Sequence, residues 1–181
     1  DTTIREIAQN TQAVCFGTLA QRSAISHQTI HEFLKAMPED ENTLKIFDIN
    51  LRQSFYTQEI IEASLKLCNI LKINDEELAV LDRIFHLGSQ TLEKSCRNLM
   101  IKFDIETLIL TCGTLGSYVF IEQEIDVVDT VGAGDSFTAA FCASLLRGKP
   151  MVEAHQRAVD VSAFVCSNSG AMPKLLPDHL K

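Results

Sequence analysis

The sequence predicts an α/β fold built on a largely parallel sheet with helices on both faces. Short apolar runs alternate with segments of helical periodicity along almost the whole chain, the order that βαβ units require. Towards the C-terminal end, Gly132-Ala133-Gly134 stands at the mouth of a long apolar helix. The composition agrees. Of 181 residues 46% are hydrophobic, with 8 Gly and 4 Pro. That suits one globular domain over 1–181 and excludes disordered or collagen-like chains.

The elements follow in order. Residues 13–17 (AVCFG) read as a buried strand. Residues 26–37 place Ile30, Phe33, Leu34 and Met37 at helical spacing. A second strand covers 44–49 (LKIFDI). Thr57 is placed to cap a helix reaching about Leu67. A third strand, 69–73, ends at Asn74-Asp75-Glu76-Glu77, where Asn74 suits an N-cap and the acids suit a helix N-terminus. A helix over 89–102 precedes a strand at 107–111 (TLILT). Two extended pieces come next, 118–122 and 125–128. Gln123-Glu124 between them favours no tight hairpin turn. Either the pieces are not a simple hairpin or a loop is missing there; the second is the expectation. The apolar helix then runs to about Leu146, is stopped by Gly148 and Pro150, and a last helix covers 151–166. Phe33, Phe47, Phe55 and Phe103 are expected in the core.

Charge and composition narrow the function. Sixteen basic against 24 acidic residues give a net charge of −8, which argues against a nucleic-acid partner but leaves room for a local anion site. No window approaches the roughly 18 apolar residues of a membrane helix. The six cysteines are scattered with no C-x-x-C pair, so reduced, buried thiols and a cytoplasmic location are expected, not disulfides or zinc. No signal peptide is visible, and the start at Asp1 reads as a cut, a processed end or part of something longer. His27 and His31 are four apart, a zinc-capable spacing. No Glu follows His27 and no third ligand is evident, so a solvated helix face is expected.

The chemistry concentrates in 129–137 (DTVGAGDSF). Small residues let a ligand approach the backbone. A helix N-terminus offers N–H groups and partial positive charge. Asp135, in the first turn, can take a proton from a hydroxyl. A glycine turn with Asp as a helix cap is the plainer alternative. Neither a dinucleotide fingerprint, a G-x-x-x-x-G-K-[ST] loop nor a G-x-S-x-G elbow is present.

Asp129-Thr130-Val131-Gly132-Ala133-Gly134-Asp135-Ser136-Phe137 resembles the C-terminal signature of the PfkB (ribokinase-like) carbohydrate kinases. Asp48-Ile49-Asn50-Leu51-Arg52 resembles the family's D-x-N-x-R, Asn74 to Glu77 its N-x-x-E, and Thr111 to Gly116 its T-x-G-x-x-G. Residues 16–22 and 170–173 resemble bacterial fructokinase-like members. The likeness covers essentially the whole chain.

This resemblance implies a three-layer α/β/α sandwich and a kinase that phosphorylates a sugar hydroxyl from ATP. In it Asp135 is the general base. The N–H groups of Gly132, Ala133 and Gly134 stabilise the transferring phosphoryl. Lys72, Asn74, Glu77, Thr111, Gly113 and Gly116 serve the nucleotide, with Glu77 acting on Mg²⁺ through water. Asp48, Asn50 and Arg52 face the sugar or phosphate side. Asp129 and the Val131 carbonyl match part of a monovalent-cation (K⁺) site. Each has a plainer alternative: Asn74 and Glu77 as helix cap and first-turn acid, Asp48 with Arg52 as an ion pair, 111–116 as a glycine turn. Fructose is the first substrate expectation. A 2-keto-3-deoxygluconate, ribose or nucleoside kinase is the runner-up, and a nucleotide-binding module without turnover the alternative of another class. A nicotinamide-binding dehydrogenase is discounted, because Glu153, the acid at about the right distance, follows a helix and Pro150. The partners are small molecules, with a homodimer as a candidate assembly. Whole members carry an N-terminal part with a Gly-Gly motif and lid strands; nothing in 1–17 matches it, so the likeness is to their C-terminal portion.

Overall fold

The computed structural model describes residues 2–40, 42–52, 55–88, 91–121, 125–128 (backbone alone), 134–168 and 173–175. The elements run α1 (Thr2–Gln9), β1 (Ala13–Phe16), α2 (Ala24–Ala36), β2 (Leu44–Asp48), α3 (Gln58–Leu65), β3 (Ile70–Asn74), α4 (Asp75–Phe85), α5 (Leu92–Phe103), β4 (Thr107–Thr111), β5 (Ser117–Ile121), β6 (Ile125–Val128), α6 (Gly134–Leu146) and α7 (Met151–Ser167). Short 3-10 turns stand at Leu19–Gln21 and Gly113–Leu115. The strands form one sheet in the order β1-β2-β3-β4-β5-β6.

Helix starts follow the polar residues that precede them. Ser23, Thr57, Asn74 and Thr91 each accept a backbone N–H three residues on, from Ser26, Ile60, Glu77 and Lys94. Each bond satisfies a donor that the first helical turn leaves unpaired. Ser23 draws α2 two residues ahead of its apolar periodicity. Thr91 holds α5 back to Leu92.

β1 pairs with β2 in parallel, Ala13 opposite Leu44 through Phe16 opposite Phe47. β2 pairs in parallel with β3, Ile46 opposite Ile70 and Asp48 opposite Lys72. The first register sets Phe16 on Phe47, with ring centroids 5.1 Å apart and planes 18° from parallel. Neighbours β4 and β5 are joined by a short turn closed by Cys112 N–H to Gly116 O at 2.8 Å. So short a link forces them antiparallel, and the sheet is mixed.

The chain divides into two compact units. The first comprises Asp1–Leu110 with Phe120–Glu124, the second Thr111–Val119 with Ile125–Lys181. Phe47, Ile46, Leu71, Ile73, Leu81 and Leu99 are fully buried in the first. In the second, α6 packs on α7. Phe137 stacks on Phe141, and the His155 ring meets Phe137 edge-on at 5.6 Å.

Several expectations shift. α1 has no counterpart in the sequence reading, although Ile4, Ile7 and Ala8 fall at helical spacing; it buries Ala8 alone. Phe47 and Phe103 are core residues, whereas Phe55 is 44% exposed. Cys68, Cys96 and Cys112 are buried, but Cys15 and Cys166 are exposed. β5 and β6 are neighbours in the sheet, while the questioned Gln123-Glu124 lies outside the described residues. Among the described residues no helix is long and apolar enough to cross a membrane.

Candidate active site

In the first unit, candidate residues gather where β2 and β3 end together, the edge at which parallel sheets take ligands. Because Asp48 and Lys72 are register partners, their side chains leave the sheet on the same face. Lys72 Nζ lies 3.0 and 2.9 Å from the two Asp48 carboxylate oxygens. Their side chains are only 9% and 17% exposed. Register therefore gives Asp48 a lysine partner, where the sequence offered Arg52; the Arg52 side chain is exposed. It also commits to a carboxylate the Lys72 ammonium expected on the nucleotide.

Asn74 and Glu77 close a reciprocal cap. Asn74 Oδ1 accepts the Glu77 N–H at 2.7 Å, and Glu77 Oε2 accepts the Asn74 N–H at 2.9 Å. The remaining oxygen, Oε1, accepts the Leu51 N–H at 2.9 Å. Glu77 is thus both a helix-cap acid and a tie to the segment after β2. That segment carries Asn50, exposed and in the left-handed region at φ +43°.

The second unit begins at Thr111 with the turn expected to lie along a nucleotide. Gly113 adopts φ +55° and Gly116 φ +100°. The second value excludes an ordinary side chain, so the turn needs its glycine. Asp135 occupies the first turn of α6 and is exposed. Thr138 Oγ1 donates to Gly134 O at 3.0 Å one turn below. An exposed carboxylate on a first helical turn stands beside N–H groups that lack intrahelical acceptors, an arrangement able to receive a proton next to a bound anion. Asp129, Val131, Gly132 and Ala133 lie outside the described residues, as do Gly170 to Met172 of the fructokinase-like stretch.

The histidine pair is not the solvated face expected of it. His27 Nδ1 and His31 Nε2 lie 2.9 and 3.1 Å from Gln21 Oε1. Gln21 Nε2 donates to Ser64 Oγ at 2.9 Å and Gly17 O at 3.2 Å, so its oxygen accepts from both imidazoles. Gln21 is buried. Burial, the neighbouring His27 and then Lys35 hold the His31 pKa below its ordinary 6.5. A lone Gln gives no sequence signal for such a node.

Comparison with known proteins bears on the fold and the family. Aminoimidazole riboside kinase of Salmonella typhimurium is 29% identical over 149 residues, covering 75% of this chain and 46% of its own. The crystal structure of aminoimidazole riboside kinase from Salmonella enterica, complexed with aminoimidazole riboside and an ATP analog, matches with a TM-score of 0.77 at 22% identity, over 94% of this chain and 61% of that one. A fructokinase structure from Vibrio cholerae with fructose, ADP and calcium ion matches at 0.73 and 21%, over 90% and 56%. The fold is thus the ribokinase-like α/β fold. The chain spans about half the length, or less, of the curated relatives it matches first. The family model for pfkB family carbohydrate kinases matches residues 2–178, nearly the whole chain, and the chain belongs to that family.

Proposed function

We propose that the protein transfers the γ-phosphoryl group of ATP to a sugar hydroxyl, with fructose as the first acceptor to test. The observation that carries this reading is Asp135, exposed on the first turn of α6 directly after Gly132-Ala133-Gly134. On this reading Asp135 removes the proton of the attacking hydroxyl, and the N–H groups at the helix mouth hold the charge of the phosphoryl in flight. The turn with Thr111, Gly113 and Gly116 lies along the nucleotide. Asn50 and Arg52, exposed after β2, contact the acceptor. Asp48, neutralised by Lys72, shapes that end of the sheet.

Glu77 offers hard oxygen donors that suit Mg²⁺. Both oxygens already accept backbone N–H groups, which fits an ion held through water better than one bound directly. Bound there, Mg²⁺ supplies neutralisation of phosphate charge. Asn74 and Glu77 keep the first turn of α4 fixed for it. Asp129 and the Val131 carbonyl are the proposed part of a K⁺ site. A riboside acceptor is the second reading, favoured by the likeness to aminoimidazole riboside kinase.

The test is ADP release from ATP and Mg²⁺ with a panel of fructose, ribose, 2-keto-3-deoxygluconate and nucleosides, using this chain and any longer natural form containing it. Turnover with one acceptor, lowered about 10²–10⁴-fold by Asp135→Asn with ATP binding retained, is the expected outcome. ATP binding with no turnover on any acceptor replaces the kinase by a binding module. Full activity of Asp135→Asn removes Asp135 as the base.

A further inference from the structure

The geometry points to Thr18 as a positioning residue whose buried hydroxyl sets the Asn50–Arg52 segment for the acceptor. The inference rests on the reading above that Asn50 and Arg52 bind that acceptor.

Thr18 precedes the 3-10 turn Leu19–Gln21, a position where threonine ordinarily accepts a backbone N–H. It makes no such cap. Its Oγ1 instead donates to Ile49 O at 2.8 Å, with Asn50 O at 3.3 Å beside it. The Thr18 N–H reaches the same Ile49 carbonyl at 3.3 Å. Thr18 is 1% exposed, so this hydroxyl has no water to fall back on. Losing its partner would leave a buried polar group unsatisfied.

The segment it grips is held at successive atoms. Ile49 N–H donates to Lys72 O at 3.2 Å, Ile49 O receives Thr18, and Leu51 N–H donates to Glu77 Oε1 at 2.9 Å. Between these anchors Asn50 takes φ +43°, a left-handed conformation uncommon outside glycine that Asn tolerates better than most residues, so the anchors on either side select it without great strain. Thr18 itself stands on a fixed base. A Cβ on Gly17 would come within 2.7 Å of Asp48 O, so the two backbones are already in contact. Gln21 Nε2 ties the Gly17 carbonyl to Ser64 on α3. Thr18 touches no proposed reacting group. Its contribution is to keep Asn50 left-handed and so fix where the side chains of Asn50 and Arg52 stand.

Thr18→Val keeps the shape and removes the donor, and Thr18→Ser keeps the donor and removes a methyl. In the full chain, Thr18→Val is expected to raise the acceptor KM about tenfold while the ATP KM changes less than about twofold, and Thr18→Ser to return the acceptor KM to within about threefold of the parent. Backbone amide exchange is expected to quicken about tenfold at Leu51 in Thr18→Val alone, with Phe47 and Leu71 in the strands unchanged. Parental acceptor KM and Leu51 exchange in Thr18→Val overturn the assignment, as does failure of Thr18→Ser to restore them. If Thr18→Val does not fold, Thr18→Ala carries the same readouts. If the parent turns over no acceptor, the kinase reading fails and exchange decides Thr18 separately. Loosening of Leu51 in Val and not in Ser supports the assignment; unchanged exchange sinks it.

Discussion

A single amide oxygen, Gln21 Oε1, receives two imidazole donors and so holds His27 and His31 together, while burial and the positive groups beside His31 set how the protein should respond to acid. The rings of His27 and His31 lie 4.1 Å apart, and Lys35 adds positive charge to the partly buried His31. The His31 pKa is lowered on folding, so between its native value and 6.5 the unfolded chain binds the proton more readily. Stability is therefore complete above pH 6.5 and declines as pH falls towards the native pKa, where the decline levels off. Thermal melts from pH 7.5 to 5 should show this loss, and His31→Gln should flatten the curve; parallel curves for the two proteins would leave His31 without the role. The sequence showed the two histidines and their spacing. It could not show the buried glutamine that turns them from a solvated face into donors, because that contact depends on how the turn after β1 meets α2. For the same reason Asp48 and Lys72 were legible as site residues but not as partners: the pairing follows from strand register, which no local pattern near residue 48 or 72 encodes.

At the scale of elements, capping residues explain most of what was readable. Thr57 and Asn74 marked their helices in the sequence, and both cap in the structure. Asn74 does so reciprocally with Glu77, which is why the cap and the proposed site share residues. Asn74→Ala removes the acceptor for the Glu77 N–H and should lower stability by about 1 kcal/mol, seen as a shift in denaturant midpoint with unchanged slope. A shift within error would mean that Glu77 holds the turn unaided. Two elements without such signals stayed hidden. α1 buries one residue, and the 3-10 turn at Leu19–Gln21 lacks a side-chain cap because Thr18 is turned elsewhere. The α6 mouth announced itself by its glycines, although only Gly134 onward is described.

Across the whole molecule, the alternation of apolar runs and helices was enough to expect a mostly parallel sheet. The parallel pairs β1–β2 and β2–β3 and the order β1 to β6 agree with it. Apolar surroundings alone did not place the cysteines. Cys15 lies on β1, at one end of the strand order, and is exposed, whereas Cys68 is enclosed and its thiol is pushed up to about 12 by burial. Alkylation of the native protein near neutral pH should label Cys15 and Cys166 and spare Cys68, Cys96 and Cys112 until denaturant is added. Early labelling of Cys68 would show that α3 opens locally.

The bonds that fix the Asn50 segment also impose an order in time. They join Thr18 to Ile49, Asp48 to Lys72 and Leu51 to Glu77, across 31, 24 and 26 positions of chain. As the chain leaves the ribosome, the acceptor for the Leu51 amide does not exist until residue 77 has been added. The acceptor-side corner is therefore finished by a helix made well after the strand it completes, and a ribosome stalled between residues 52 and 76 holds a nascent chain with that corner unmade.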